Sequence, residues 1–359
     1  MKNRYAVLTA ALLLSLTASA AFAQATEPPA APTPQVDVAA PPPADTAAPT
    51  APAAPADPLP PANPKFFTAT SPSVDTVNAF LHQVWGFDPD RLYRVMAIQK
   101  TAAPGVTKVV IFVTSKAAGA KVQAATFYVT PDGKHAIGEG ASVVPFGPTP
   151  FADTRDLLKA KADGAYRGAA GKDLELVEFA DLQCPHCKEA QSTMDQIVKD
   201  FPKAHVVFQL FPLVDIHSSA FKAAAFGVCA QKQSNEAFFK YAAGVFETQE
   251  ALAPTSDDDL LKAAATRAGL DGTAIAACAE TQATKDIVNA DIKLAEDAGV
   301  DQTPLLSVNG RMLPLAGVSY EGLKQMIQFQ ATLDGVDSGA SAETLAPKPK
   351  QPTLQTLPK

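Results

Sequence analysis

Leu174-Glu175-Leu176-Val177-Glu178-Phe179-Ala180-Asp181-Leu182-Gln183-Cys184-Pro185-His186-Cys187 is the stretch whose reading decides the fold. Its first six residues form an apolar, strand-like run. The residues after Cys184 are patterned as a helix, with Met194, Ile197, Val198 and Phe201 on one side and Pro202 as the stop. A C-x-x-C pair at a helix start holds two sulfurs close enough to cycle between dithiol and disulfide, and the helix N-terminus favours the thiolate of the first. Covalent haem attachment needs a His directly after the second cysteine, and Lys188 stands there. A structural zinc site needs two further ligands at close spacing, whereas Cys229 and Cys278 sit alone in helix-like segments. An inert structural disulfide stays open as the bland alternative, against which the conjunction of strand, C-x-x-C and helix weighs.

Downstream, residues 205–213 read as a second apolar strand, completing a βαβ unit. Residues 218–298 are helical in pattern throughout, with boundaries at Ser234, at Pro254-Thr255-Ser256, where Ser256 and Asp259 fit a cap, and at 269–273. Gln302-Thr303-Pro304 then leads into a strand over 305–308, an Asn309-Gly310 hairpin turn, a short strand over 311–314 and a last helix from Ser319 to about Leu333. Strand, helix, strand, helical insertion, hairpin, helix is an α/β order.

Upstream, Ser73 is placed to cap a helix whose apolar positions Val74, Val77, Phe80, Leu81, Val84 and Trp85 fall at helical spacing before Gly86. Strand-like runs follow over 92–98, 106–115 and 122–130, the last turning through Pro131-Asp132-Gly133 into 134–137. Residues 66–150 therefore read as a small α+β domain. It contains no cysteine, and its His82 and His135 have no visible partners, so catalysis is not expected there. Residues 151–164 read as a connecting helix that spaces two domains; an ordinary surface helix is the other reading.

The ends bound the setting. Lys2 and Arg4, an apolar run over 5–16 and Ala21-Phe22-Ala23 read as a signal peptide over 1–23, so the mature protein is expected to be periplasmic or secreted. Retention as an uncleaved anchor is the alternative, since the apolar stretch nearly reaches the ~20 residues a membrane span needs. Residues 24–65 form a Pro/Ala-rich stretch without Lys or Arg up to Asn63, expected to be a disordered linker, and 337–359 a disordered tail. A net charge of -7 argues against nucleic acid as a partner. Four cysteines are too few for a disulfide scaffold, while an oxidising compartment would keep a well-placed pair oxidised unless it is actively reduced.

With these elements in place, residues 165–335 resemble the DsbA-type branch of the thioredoxin superfamily. The match lies in residues 178–187, in Thr303-Pro304 at the family's cis-proline loop, and in the helical insertion between them. The resemblance implies a thioredoxin fold with a helical insertion over 165–336. The unit over 66–150 is similar in length and element order to the dimerisation domains of the DsbC and DsbG isomerases, which implies self-association.

Chemistry and resemblance together assign roles. Cys184, at an exposed helix N-terminus, is expected to exchange with the substrate, and Cys187, one turn inside, to resolve the mixed disulfide. Pro185 suits a helix start because its missing N–H costs no intrahelical bond. His186 either tunes the pair or is a bland exposed residue. A cis Thr303-Pro304 bond would expose the Thr303 backbone to an extended substrate strand; a trans proline at a strand start is the alternative. Glu178 matches a position where relatives carry a buried carboxylate able to relay a proton to the second cysteine; a solvated strand edge is its bland reading. His217 matches an exposed histidine of relatives and is taken as structural or neutral. Relatives often carry a cysteine pair in the insertion, so Cys229 and Cys278 are expected to form a structural disulfide, two buried thiols being the alternative.

The function so implied is that of an exported thiol-disulfide oxidoreductase acting on reduced or misfolded exported proteins. It would need no metal or organic cofactor and would be recycled by a membrane redox partner. A dimeric isomerase or reductase, for which the N-terminal unit and Thr303 speak, and a non-catalytic exported chaperone or binding module are the rival readings.

Overall fold

The computed structural model describes residues 57–138 and 141–341. The expected signal segment, residues 24–56 of the expected linker and residues 342–359 of the expected tail lie outside them. Among the described residues no helix is long and apolar enough to cross a membrane.

The N-terminal unit begins with α1 (Val74–Trp85), where the Ser73 hydroxyl accepts the Thr76 N–H at 3.1 Å. Such a cap contributes about 1 kcal/mol. An antiparallel meander follows: β1 (Arg91–Lys100), β2 (Thr107–Ser115), β3 (Gln123–Val129), β4 (His135–Ile137) and β5 (Val143–Pro145), in that spatial order. Val77, Phe80, Leu81 and Trp85 of α1 pack on Val95, Ile98, Val109, Ile111 and Phe127, which share one sheet face because the register of β1 shifts between Val95 and Ala97. β5 has no counterpart in the sequence reading: its residues are all exposed, so no burial pattern marks it, and only pairing with β4 defines it. Two further expectations are corrected. His135 is not alone, since its Nδ1 lies 2.6 Å from Asp132 Oδ2, and the His82 ring meets the Phe329 ring edge-on at 5.4 Å. The linker also ends earlier than 65: Leu59 is 5% exposed, and Arg94 donates to the carbonyls of Leu59 and Pro60 at 2.6 and 2.9 Å.

Next come α2 (Ala152–Lys161), β6 (Ala165–Gly168), β7 (Leu174–Ala180), α3 (Pro185–Asp200) and β8 (Ala204–Leu210). The helical insertion comprises α4 (Ala220–Gln231), α5 (Asn235–Thr248), α6 (Asp257–Arg267), α7 (Gly272–Ala279) and α8 (Gln282–Asp297). The hairpin β9 (Leu305–Val308) and β10 (Arg311–Pro314) and the helix α9 (Tyr320–Leu333) complete the domain. The sheet order is β10-β9-β7-β8-β6, with β7 and β8 parallel across α3 and the other pairs antiparallel. This is the thioredoxin fold, an α/β architecture with a helical insertion.

Alternation along the central strands builds two layers. Leu174 and Leu176 of β7 face α3 and α9, meeting Met194, Ile197, Leu323 and Ile327. Val177 and Phe179 face the other way, onto Leu158 of α2 and Leu294 of α8. α2 is thus seated on the redox domain rather than spanning a gap between domains. Gly310 makes that seat possible: a Cβ there would stand 2.3 Å from Phe151 O, in the residue that opens α2. Gly310 also takes φ +87 beside Asn309 at φ 46, as a two-residue Asn-Gly hairpin turn requires.

Three further boundaries differ from the sequence reading. β6 carries no signal of its own in the sequence, since Ala-Tyr-Arg-Gly lacks a period-two pattern; it exists by pairing with β8, from Ala165 opposite Phe208 to Gly168 opposite His205. The Ser256 hydroxyl does not cap α6 but donates to Ala251 O at 2.8 Å. The chain stays packed past 337, with Ser338 buried and its carbonyl accepting from Lys203 N at 3.3 Å.

Candidate functional site

β7 delivers the chain to the sulfur pair. Cys184 is the N-cap of α3, Pro185 occupies the first turn where no intrahelical N–H is needed, and the amides of Cys187 and Lys188 donate to Cys184 O at 3.1 and 3.3 Å. Both thiols are free, and both are buried: Cys184 is 5% exposed and Cys187 is 0% exposed. The expected exposed Cys184 is therefore corrected to a covered one. Its cover includes the loop carrying Thr303, whose carbonyl lies 3.8 Å from Cys184 Sγ and accepts from the thiol. The Thr303-Pro304 bond is cis.

The two sulfurs differ sharply. The Cys187 thiol, donating to Cys184, pulls the Cys184 thiol down to about 5 against the opposing effect of burial; Thr303 and the main-chain N–H groups of Cys187 and His186 add to the shift. Burial drives Cys187 the other way, far above the usual thiol range. The pair therefore presents a stable thiolate at the helix N-terminus beside a thiol that resists ionisation.

His186 contributes differently from expectation. Its ring is exposed and turns to Glu189, 3.0 Å from Nδ1 to Oε2, and that carboxylate together with the Cys184 charge raises its pKa. The group of His186 that lowers the Cys184 pKa is the backbone amide.

Glu178 faces α3 from β7, the same side as Leu176, and is 1% exposed. Gln191 Nε2 donates to its Oε1 at 2.7 Å and to Cys187 O at 3.1 Å, linking the carboxyl to the turn that holds the second cysteine. Burial pushes Glu178 up to about 7, only partly offset by Arg167 and Gln191. A carboxyl with that affinity can hold or release a proton near neutral pH.

Two residues outside the expected catalytic set stand beside the pair. Asp181, three residues before Cys184, is 1% exposed and donates its main-chain N–H to Cys187 Sγ at 3.4 Å. His217 reaches its Oδ2 with Nδ1 at 2.7 Å. No motif in the sequence pairs them, because they lie on separate connections of the sheet.

On the other side of the site, His186, Glu189, Ala190, Thr193, Pro304 and Leu315 line a cleft of about 220 Å³. It is below the ~300 Å³ of a typical ligand pocket, so its scale suits a side chain. Cys229 and Cys278 are joined as a disulfide between α4 and α7, with Cα atoms 6.1 Å apart. Among the described residues no cluster of three His, Cys, Asp or Glu could hold a metal ion.

Comparison with known proteins gives three kinds of match. Residues 161–329 match the family described as thioredoxin. Among curated proteins, the Na(+)/H(+) antiporter NhaA 3 of Salinispora tropica is 29% identical over 145 residues, 40% of this chain and 21% of that protein. The Na(+)/H(+) antiporter NhaA 1 of Salinispora arenicola is 32% identical over 54 residues, 15% of this chain and 8% of that one. The chain thus spans about a fifth or less of the length of the curated relatives it matches. Among solved structures, BdbD from Bacillus subtilis is similar with TM-score 0.43 and 21% identity, covering 49% of this chain and 95% of that one. The thiol-disulfide exchange protein alpha-DsbA2 from Wolbachia pipientis has TM-score 0.42 and 19% identity over 49% and 95%. The catalytic domain of Proteus mirabilis ScsC has TM-score 0.40 and 22% identity over 50% and 98%.

Proposed function

We propose, from the match of residues 161–329 to the thioredoxin family, that the protein is an exported thiol-disulfide oxidoreductase that passes its Cys184–Cys187 disulfide to cysteines of protein substrates. The observation that carries this reading is the placement of the pair, with Cys184 as the N-cap of α3 against the Thr303 loop and Cys187 fully buried inside the first turn; the opposed acidity of the two thiols follows from that placement. A client thiolate attacks Cys184 Sγ of the disulfide, and Cys187 leaves with the electron pair and takes up a proton, for which Glu178 is the nearby buried acid. A second client thiolate then attacks the client's own sulfur in the mixed disulfide. Cys184 leaves as a thiolate that its surroundings stabilise, which favours transfer of the disulfide outward. The clients are reduced or misfolded exported proteins, and a membrane redox partner restores the disulfide.

The measurement that tests the direction is the reduction potential of the pair against a glutathione buffer. An oxidase requires a value well above the roughly -270 mV of thioredoxin and towards the -120 mV of strongly oxidising relatives. The Cys184→Ala variant must lose oxidation of a reduced unfolded client. A potential near the thioredoxin value rejects the oxidase, and an unchanged effect on client folding in Cys184→Ala, without oxidation of the client, rejects an enzyme in favour of a chaperone or binding module.

The dimeric isomerase remains the second reading. It is favoured by the N-terminal sheet, where Tyr128 and Val143 are 39% and 62% exposed. Sedimentation as a dimer, with rescue of a scrambled disulfide protein under reducing conditions, supports it; a monomer without rescue rejects it.

A further inference from the structure

We propose that Asp181 is a positioning residue for exchange, holding its own main-chain N–H on the sulfur of Cys187; the inference rests on the thiol-disulfide reading above. Asp181 lies between the end of β7 and the Cys184 cap, and both its main chain and its carboxylate are engaged. The carbonyl accepts from Cys184 N at 3.1 Å and the N–H donates to Cys187 Sγ at 3.4 Å. Oδ1 accepts from Gln183 N at 2.7 Å. Oδ2 accepts from Leu213 N at 2.9 Å and from His217 Nδ1 at 2.7 Å.

The last two donors are the ends of one arch. Residues 213–217 close on themselves, with Ile216 N and His217 N both donating to Leu213 O at 3.0 and 2.9 Å. A buried carboxylate is tolerated only where donors replace its water, and here three donors from two connections fix its orientation. The arch is therefore a clamp on the Asp181 side chain, and through it on the peptide group that points at Cys187.

The chemistry gives that peptide group a task. In resolution, Cys187 gives up its proton, for which Glu178 is the nearby buried acceptor, and its thiolate attacks Cys184 Sγ of the mixed disulfide; the Cys184–Cys187 bond forms, the Cys184–client bond breaks, and the client sulfur leaves as a thiolate that takes a proton from water. In the opposite direction Cys187 is the sulfur expelled. Both directions place negative charge on the fully buried Cys187 Sγ, where a fixed N–H stabilises it more than reorienting solvent could. Burial raises the Cys187 pKa and the Asp181 amide acts against that rise.

A two-step thiol assay separates the roles. The protein, reduced at Cys184 and Cys187 only, is mixed with an aromatic disulfide that releases coloured thionitrobenzoate. The first release reports attack by Cys184, and the second reports displacement by Cys187. Asp181→Ala is expected to slow the second release on the order of tenfold, the worth of one such hydrogen bond, and to leave the first within about twofold. His217→Ala is expected to slow the second release less, and His217→Asn, whose amide can place an N–H where Nδ1 stands, to restore it. A second release at the wild-type rate in Asp181→Ala and His217→Ala, or equal slowing of both releases, overturns the inference. If Asp181→Ala does not fold, the two His217 variants decide alone: slowing with rescue supports the clamp, and no difference overturns it. Absence of the first release in the wild-type protein defeats the functional reading itself, and this inference with it.

Discussion

Arg311 reaches from β10 to the end of α1, where its Nη1 donates to the Val84 carbonyl at 3.3 Å and its Nη2 to the neighbouring Gln83 carbonyl. The last carbonyls of a helix lack intrahelical partners and carry its negative end, so a cation there is favourable twice over. The same guanidinium donates Nε to Gln330 Oε1 at 2.9 Å and lies 4.4 Å over the Phe151 ring. One side chain thus joins the N-terminal unit to the entry of α2 and to α9.

Arg311→Ala should therefore loosen the two units from each other. It is 4% exposed, and burial pulls its pKa down to about 10, so its removal strands the Gln83, Val84 and Gln330 oxygens in a covered interface. The expected loss is about 2–4 kcal/mol in urea unfolding, with faster proteolytic release of the N-terminal unit. Arg311→Lys should recover little, because the three acceptors are served from three separate nitrogens of a planar fork and a single compact ammonium cannot reach all of them. An unchanged midpoint and digestion pattern in Arg311→Ala would show that the units are held by other contacts.

Alkylation against pH should place the Cys184 thiol near about 5, while Cys187 reacts far more slowly at every pH below the usual thiol range. Mass mapping of the first modified sulfur checks the order. A midpoint near the free-thiol value of ~8.5 would remove the case for an oxidising pair.

Stability should fall as pH rises from about 4.5 to about 7. Glu178 has its pKa raised by burial from 4.5 to about 7, so the fold favours its neutral form. That contribution is fully present below the unfolded value and is lost through the folded one, costing about 3 kcal/mol by pH 8. Glu178→Gln keeps a neutral acceptor for Gln191 and should flatten this fall in urea titrations at successive pH values. Asp291, likewise raised from 3.8 to about 7 by burial, supplies a second share that Glu178→Gln leaves in place. Identical pH profiles for wild type and Glu178→Gln would mean that Glu178 stays ionised in the fold.

These predictions divide by how visible their residues are in the sequence. The Cys184 pair, the Ser73 cap and the helix starts at Ser234 and Ser319 are legible because local spacing and turn chemistry determine them, whereas the importance of Pro304 comes from the family resemblance. β5 and β6 are not, since short strands without alternation are set by their pairing partners rather than by their own residues. Asp181, His217 and Arg311 are legible only as charged or polar residues. Their partners lie 36 residues away for the Asp181–His217 pair and 227 for Arg311–Val84, and only the folded topology brings them together. The sense of His186 was obscured for another reason, because a ring that turns to Glu189 and an amide that turns to Cys184 belong to one residue.

Replacement of both Cys229 and Cys278 by Ala should destabilise the protein without changing the chemistry of the redox pair. The bridge joins residues 49 apart in sequence, spanning α4 to α7 within the helical insertion. Chain-entropy accounting for a loop of that length gives about 4 kcal/mol of stabilisation through restriction of the unfolded chain. Cys229 is 0% exposed among Phe226, Tyr241 and Val288, so the paired substitution also removes some packing. The expected result is a lower urea midpoint, with first-release kinetics at Cys184 within about twofold of wild type, because Cys184 is activated by groups on α3 and the Thr303 loop rather than by the insertion. Thiol counting supplies the control: protein reduced mildly enough to open only the Cys184 pair should show two free thiols, and after denaturation and full reduction four. Four free thiols in the mildly treated native protein, or an unchanged midpoint in the double variant, would show that the Cys229–Cys278 bridge does not hold the insertion together.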